Sequence, residues 1–353
     1  MLQRLRERLE LTDVLMFIVG GLIVALVIVG SASTLIAGKY NSRQWFDLIV
    51  FGIALGGIYA LIALGYTLVY GILRMINFAH SEVFMSGPFT AYFLADELGR
   101  SGFLDQNPVI GLLLIFLLSM TVSTVIAILL ERIAYRPLRY APRLVPLITA
   151  IGASFFLQYF FKGLYGPNIK VYPEIAVLKG YLHLGEFRIQ YIQILVIIAA
   201  ALMMLGLHLF IQNSRIGKAM RAVAEDKATA ALMGIDVDRI IVITFTLGGA
   251  LAGAAGVLYA LMFKQVNFLM GFIPGIKAFT AAVLGGIGNV PGAMLGGLFL
   301  GVVESLGPSL FLDGLNIPAP YQLKDAIAFT LLVLVLIFRP SGILGERLAE
   351  KKA

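Results

Sequence analysis

The sequence contains no cysteine. That excludes disulfides, thiolate chemistry and cysteine-ligated metals. Histidine is nearly as scarce: His80, His183 and His208 lie too far apart to suggest a metal site. Charge is thin as well, at 13% of 353 residues, where a soluble domain carries roughly 25%. No Walker sequence is present. Gly217-Lys218 is followed by Ala219, and no glycine stands five positions before Gly217, so the chain should not bind ATP in a P-loop. No cofactor is expected here, and any ATP must be held by a partner subunit. A hydrolase pattern is missing too. His80, Ser81 and Glu82 are adjacent, and neighbours on a helix do not face one another as nucleophile and base must.

What is abundant is apolar sequence. Hydrophobic residues make up 59% of the chain, and mean hydropathy is +0.93. One water-facing globule cannot hide that much apolar surface. The runs are long and continuous, unlike the alternating ten-residue segments of a membrane barrel. The fold class is therefore all-α: one polytopic transmembrane bundle over residues 1–353, of roughly eight to ten helices at about 20 residues each. The formal charge of +7 has no soluble basic face to sit on, which argues against nucleic acid. In a membrane protein, excess Lys and Arg marks cytoplasmic loops.

Residues 1–13 are charged and expected to be a cytoplasmic helix, with Arg4, Arg6 and Arg8 inside. The apolar run 14–37 is too long for a signal peptide and reads as a retained first helix. Residues 96–108 are acidic and suit an external loop. Arg132, Arg136, Arg139 and Arg143 make the strongest inside marker. Residues 162–190 look like a structured external loop whose end could carry a short strand or an amphipathic turn. The segment 212–239 is the most charged long stretch. Ile216, Met220 and Val223 recur in it at helical spacing, and Gly234 is placed to end the helix. Residues 264–277 read as a loop. In 278–311 the apolar sequence is broken by Gly285, Gly286, Gly288 and Pro291, giving either two short crossings or a re-entrant pair. A last crossing runs over 324–338, and the basic tail 340–353 falls inside.

The stretch 46–95 is long enough to cross twice. Gly52 and Gly56 form a small-xxx-small pair suited to close helix packing. Its second half carries Arg74, Asn77, His80 and Glu82, a cluster that is expensive in lipid unless something pairs with it. Helical spacing places positions 74, 77 and 81 along one side, with 78 and 82 beside them. That predicts either a hydrophilic wall of a pathway or a buried structural network.

Three segments, GIYALIALGYTLVYGILRMINFAHSEVFM, RAVAEDKATAALMGIDVDR and AFTAAVLGGIGNVPGAMLGG, resemble the LivH-type permeases of branched-chain amino acid ABC importers. The resemblance implies a pairing with a second, homologous permease, two cytoplasmic ATPases and an extracytoplasmic solute-binding protein. It further implies that 212–239 is the coupling segment seated on the ATPase, with Arg221, Glu225, Asp226 and Gly234 matching its pattern. Ser81 stands where the family usually has Gly, and Gly87-Pro88 replaces the common Gly-Ala. Amino acids are the expected solute, branched-chain or other hydrophobic and neutral ones. A urea or amide importer of the same family and an ion-coupled secondary transporter are the alternatives.

Overall fold

The computed structural model describes residues 11–339, apart from 140 and 143, together with 341–345. Most of the charged segment 1–13, Arg143 and most of the tail 340–353 lie outside the described residues.

Among the described residues, twelve α-helices of six residues or more organise the bundle. They are α1 (Leu11–Ala37), α2 (Ser42–Leu73), α3 (His80–Arg100), α4 (Pro108–Leu129), α5 (Leu144–Tyr165), α6 (Tyr191–Asn213), α7 (Arg215–Glu225), α8 (Lys227–Leu232), α9 (Val237–Phe263), α10 (Phe272–Gly285), α11 (Val290–Gly307) and α12 (Lys324–Phe338). Among the described residues, eight helical stretches are long and apolar enough to span a membrane. The protein is a multi-pass helical membrane bundle. Among the described residues, sheet is confined to two small pairs. One is a hairpin of β2 (Tyr181–Leu184) and β3 (Phe187–Gln190), at the end of the loop where a strand was expected. The other joins β1 (Lys170–Val171) to β4 (Gln265–Val266).

α2 and α9 are the buried centre of the bundle. Small residues allow this. A Cβ on Gly301 would overlap the backbone of Gly56, and one on Gly297 would overlap that of Ala60, so α2 and α11 touch backbone to backbone. Gly249 and Gly253 of α9 meet α4 in the same way at Ser123 and Ser119. Dispersion contacts between helices hold a bundle together where lipid removes the hydrophobic drive. The outer helices turn large apolar side chains outward, among them Ile18, Leu117, Phe156, Leu202 and Val333.

The connections sort into two ends. At the hairpin end, Lys39 Nζ donates to the Asp313 carbonyl at 2.8 Å, β1 pairs with β4, and Phe46 meets Phe187 with ring centroids 4.6 Å apart. At the opposite, elbow end lie α7 and α8, the turn 286–289, and residues 341–345, which bind back to it. Ile343 N donates to Leu284 O at 2.8 Å, and Leu344 N to Gly285 O at 3.1 Å.

The structure corrects three sequence expectations. Residues 74–79 are a non-helical break, so positions 74, 77 and 81 do not share one helical face. The stretch 264–277 is not all loop, because α10 starts at Phe272 and buries Lys277. In α7 the buried positions are Gly217, Met220 and Val223. Ile216, expected on that face, is exposed at 38%, because Gly217 is pressed against the Ile211 backbone where α6 turns into α7.

Candidate functional site

The break between α2 and α3 is built around Arg74. An Asn41/Gln44 capping box starts α2, and the helix runs 32 residues to Leu73. Arg74 then adopts φ 56°, a left-handed conformation uncommon for a side chain of this size. Two bonds hold it. Its N–H donates to Tyr70 O at 2.8 Å, and its guanidinium donates to Ala224 O at 2.9 Å. The second bond reaches 150 residues along the chain to the last turn of α7.

The rest of the cluster divides among separate neighbours. Asn77 is buried, and its Oδ1 accepts from the Tyr135 hydroxyl at 2.5 Å. Tyr135 ends a π-helical turn, Leu130–Tyr135. In that turn the buried Glu131 pairs with Arg136 at 3.3 Å and with Arg139, which also reaches Asp238 at the start of α9. His80 starts α3. It packs against Gly65 and sits with its ring centroid 4.9 Å from that of Tyr66, and its buried Nε2 has no hydrogen-bond partner. Glu82 faces α5, where Gln158 Nε2 and Ser154 Oγ donate to its Oε1 at 2.8 and 3.1 Å. His80 and Glu82 therefore look toward different helices.

The expected coupling segment is a two-helix elbow. Ser214 caps α7 by accepting from Gly217 N at 2.9 Å. Asp226 closes α7 and opens α8, accepting from Ala228 N, Thr229 N and the Thr229 hydroxyl. These bonds, the Thr229 hydroxyl first, hold its carboxyl below the usual aspartate value. Arg221 reaches back to Gln212 Oε1 at 2.5 Å. Glu225, Asp226 and Gly234 are exposed, and Gly234 (φ +82°) turns the chain after α8. Burial lowers the Lys227 ammonium below the usual lysine value, helped by repulsion from Arg139 and Arg74. The elbow thus sits beside concentrated positive charge.

The broken stretch forms the α10–α11 hairpin. Gly285 ends α10, and Gly286 (φ +105°) and Gly288 (φ +97°) make the turn. Asn289 caps α11 by accepting from Gly292 N at 3.0 Å, with Pro291 in the first turn. Fourteen residues rise only about 21 Å, short of a core of about 30 Å. α10 therefore cannot face lipid along its length, and it is shielded by α2, α3, α11 and α12.

One charged cluster was missed from sequence. Lys277 Nζ lies 2.6 Å from both Glu304 Oε1 and Asp325 Oδ1, joining α10, α11 and α12. Lys277 and Glu304 are buried at 3%, whereas the Asp325 side chain is 41% exposed. Its signal in the sequence is a set of single charges, Lys277, Glu304 and Asp325, each bordering or interrupting a different apolar segment. Among the described residues, no group of three His, Asp or Glu could hold a metal ion.

Comparison with known proteins places this arrangement. The profile of the family described as "Branched-chain amino acid transport system / permease component" matches residues 48–336. The permease protein BraD of a high-affinity branched-chain amino acid transport system in Pseudomonas aeruginosa is 48% identical over 313 residues, covering 87% of this chain and 98% of BraD. The corresponding LivH of Escherichia coli K12 is 43% identical over 318 residues, covering 88% of this chain and 98% of LivH. LivM, a probable branched-chain amino acid transport permease of Methanocaldococcus jannaschii, is 30% identical over 143 residues, covering 38% of this chain and 41% of LivM. With two such relatives matched over nearly their whole length by a bundle of spanning helices, the chain belongs to the family of branched-chain amino acid transport permease components, a transport subunit and not an enzyme.

Proposed function

We propose that this chain forms one half of the translocation pathway of an ATP-driven importer in the bacterial inner membrane. It carries branched-chain or other hydrophobic and neutral amino acids. The other half is a second, homologous permease. Two cytoplasmic ATPases supply ATP hydrolysis, and an extracytoplasmic binding protein delivers the solute at the hairpin end. The elbow end faces the cytoplasm, because it gathers Arg74, Arg132, Arg136, Arg139 and Arg239, and basic loops remain inside. The amino terminus is cytoplasmic by the same parity.

The observation that carries this reading is the hook between Arg74 and Ala224 O. It fastens an exposed elbow, which offers Glu225 and Asp226 to a partner, to the break where α2 gives way to α3. Movement of a docked ATPase would reach the membrane helices through that bond. Such a two-helix lever is an element that a partner's nucleotide state can bias.

The test is uptake by the complete complex in proteoliposomes. Leucine uptake should require ATP and the binding protein. Substituting Arg221 or Glu225 by Ala should lower uptake and leave the complex assembled. Uptake driven by an ion gradient without ATPase would establish a secondary transporter, and preference for urea over leucine would establish the amide branch. Variants that assemble poorly but transport normally once assembled would remove the coupling role from the elbow.

A further inference from the structure

Glu82 is the one side chain in the described bundle that combines full burial, a central position and a carboxylate without a cation. It is 0% exposed. It lies level with Ser154 and Gln158, near the midpoint of the 22-residue α5. Gln158 and Ser154 donate to Oε1, and the Ser81 hydroxyl, which donates to Phe78 O at 2.8 Å, lies 3.2 Å away. Oε2 has no partner and is buried. Among the described residues Glu82 forms no ion pair, unlike the other buried carboxylates, Glu131 and Glu304. A charge inside the membrane without a partner is costly, and such residues mark solute and ion pathways.

The surroundings match the rest of an amino acid. Two turns along α3 from Glu82, Phe89 faces Phe161 and Tyr165 of α5, with ring centroids 6.5 and 5.1 Å away. The α3–α5 seam thus offers a carboxylate at mid-depth and an aromatic wall beyond it. The seam can also open. Only a narrow stripe of α5 is buried, made by Pro146, Ala150, Ser154, Leu157, Gln158 and Phe161. The opposite face, with Phe156 and Tyr159, is exposed.

We propose that Glu82 receives the α-ammonium group of the translocating amino acid. When α5 moves off α3, the ammonium takes the place of the neutral donors Gln158 and Ser154. The apolar side chain then lies against Phe89, Phe161 and Tyr165. Closure returns Gln158 and Ser154 to the carboxylate and releases the solute. This inference rests on the amino-acid transport reading above and adds to it the group that recognises the charged nitrogen.

The test uses the complete reconstituted complex with its binding protein and two readouts, leucine uptake and ATP hydrolysis stimulated by the loaded binding protein. Glu82→Gln should lower uptake by about tenfold or more, as expected for losing one charge-assisted contact, and keep stimulated hydrolysis within about twofold of the parent. A purely structural Glu82 would lose both together or neither. Glu82→Asp keeps the charge and should transport several-fold better than Glu82→Gln. Uptake by Glu82→Gln within about twofold of the parent, or equal losses in Gln and Asp, overturns the proposal. If Glu82→Gln does not assemble, Glu82→Asp decides: reduced uptake with intact stimulated hydrolysis supports the role, and parental uptake or joint loss overturns it. A parent complex that hydrolyses ATP but moves no amino acid defeats the transport reading and this inference with it. A parent that imports leucine beside an unaffected Glu82→Gln defeats this inference alone.

Discussion

Arg74 reaches from the end of α2 to the carbonyl oxygen of Ala224 at 2.9 Å and ties the α2–α3 break to the elbow. The carbonyl belongs to the last turn of α7, where helix carbonyls lack intrahelical donors and carry partial negative charge. A guanidinium suits that place, since it stays charged and offers several donors. The left-handed backbone of Arg74 is an uncommon conformation for a residue with a Cβ, and costs about 1–3 kcal/mol elsewhere in proteins. Both the backbone and the side chain are therefore committed to this geometry.

Arg74→Gln should loosen this link without unfolding the bundle. The expected loss is about 0.5–2 kcal/mol of coupling, or roughly 2- to 30-fold in transport at unchanged ATPase docking. Arg74→Gly relieves the positive φ and removes the hook, so it should gain backbone freedom and still lose transport. Uptake and ATP hydrolysis measured on the same proteoliposomes separate the two effects. A fall in both by the same factor would show that Arg74 acts in assembly instead.

The glycines of α2 and α11 make a prediction about stability alone. Gly301→Val places side-chain atoms into the backbone of Gly56 and should cost at least about 1–3 kcal/mol by overpacking. Gly206 of α6 has nothing within 4 Å of a built Cβ. Gly206→Ala should be neutral or stabilising by up to about 1 kcal/mol, from helix propensity. Thermal unfolding of the purified protein in detergent checks both, and equal shifts would contradict the close α2–α11 contact.

How far the sequence reveals this arrangement depends on the range of the interactions. The last helix, Lys324–Phe338, starts and stops where its apolar run does, because composition over one window decides membrane crossing. The α10–α11 turn is legible for a similar reason, since Gly286 and Gly288 mark local backbone needs. The break at 74–79 is not. Arg74 closes α2 as a left-handed cap with its N–H on Tyr70 O, but no glycine marks that cap, and the partner of its side chain, Ala224, lies 150 residues away. Lys277 was hidden in the same way. Its partner Glu304 lies 27 residues on, and a lysine at the end of a stretch that reads as a loop reads as solvated. On the α7 face Met220 and Val223 are buried as the periodicity predicts, and only Ile216 gives way to Gly217, which docks against Ile211, a contact that helical periodicity does not contain.

The Lys277 cluster predicts an asymmetric response. Lys277→Met leaves Glu304 buried without its cation and should destabilise by about 3–5 kcal/mol. Asp325 is partly exposed, so water can serve it when the ammonium is gone. The double variant Lys277→Met, Glu304→Met removes both buried charges and should recover most of that loss, since well-packed apolar replacements of buried ion pairs are often neutral or stabilising by about 1–4 kcal/mol. Unfolding midpoints of the parent, the single and the double variant test the sign. A double variant less stable than the single would show that Lys277 and Glu304 serve something other than each other.

The Asp226 cap predicts a pH dependence of the elbow. Hydrogen bonds from Thr229 and Ala228 depress its pKa below the ordinary value of 3.8. A depressed carboxyl contributes stability above its unfolded value, and that contribution is lost as pH falls through the folded value. The junction of α7 and α8 should therefore hold constant from neutral pH down to about pH 5 and open only in stronger acid. Asp226→Asn keeps a capping side chain without the charge and should remove the acid response while leaving α8 formed. Asp226→Ala removes the cap, and amide exchange across residues 227–232 should rise several-fold at neutral pH. Exchange at these amides that rises equally in the Asn and Ala variants would place the role of Asp226 in its charge and not in its hydrogen bonds to Ala228 and Thr229.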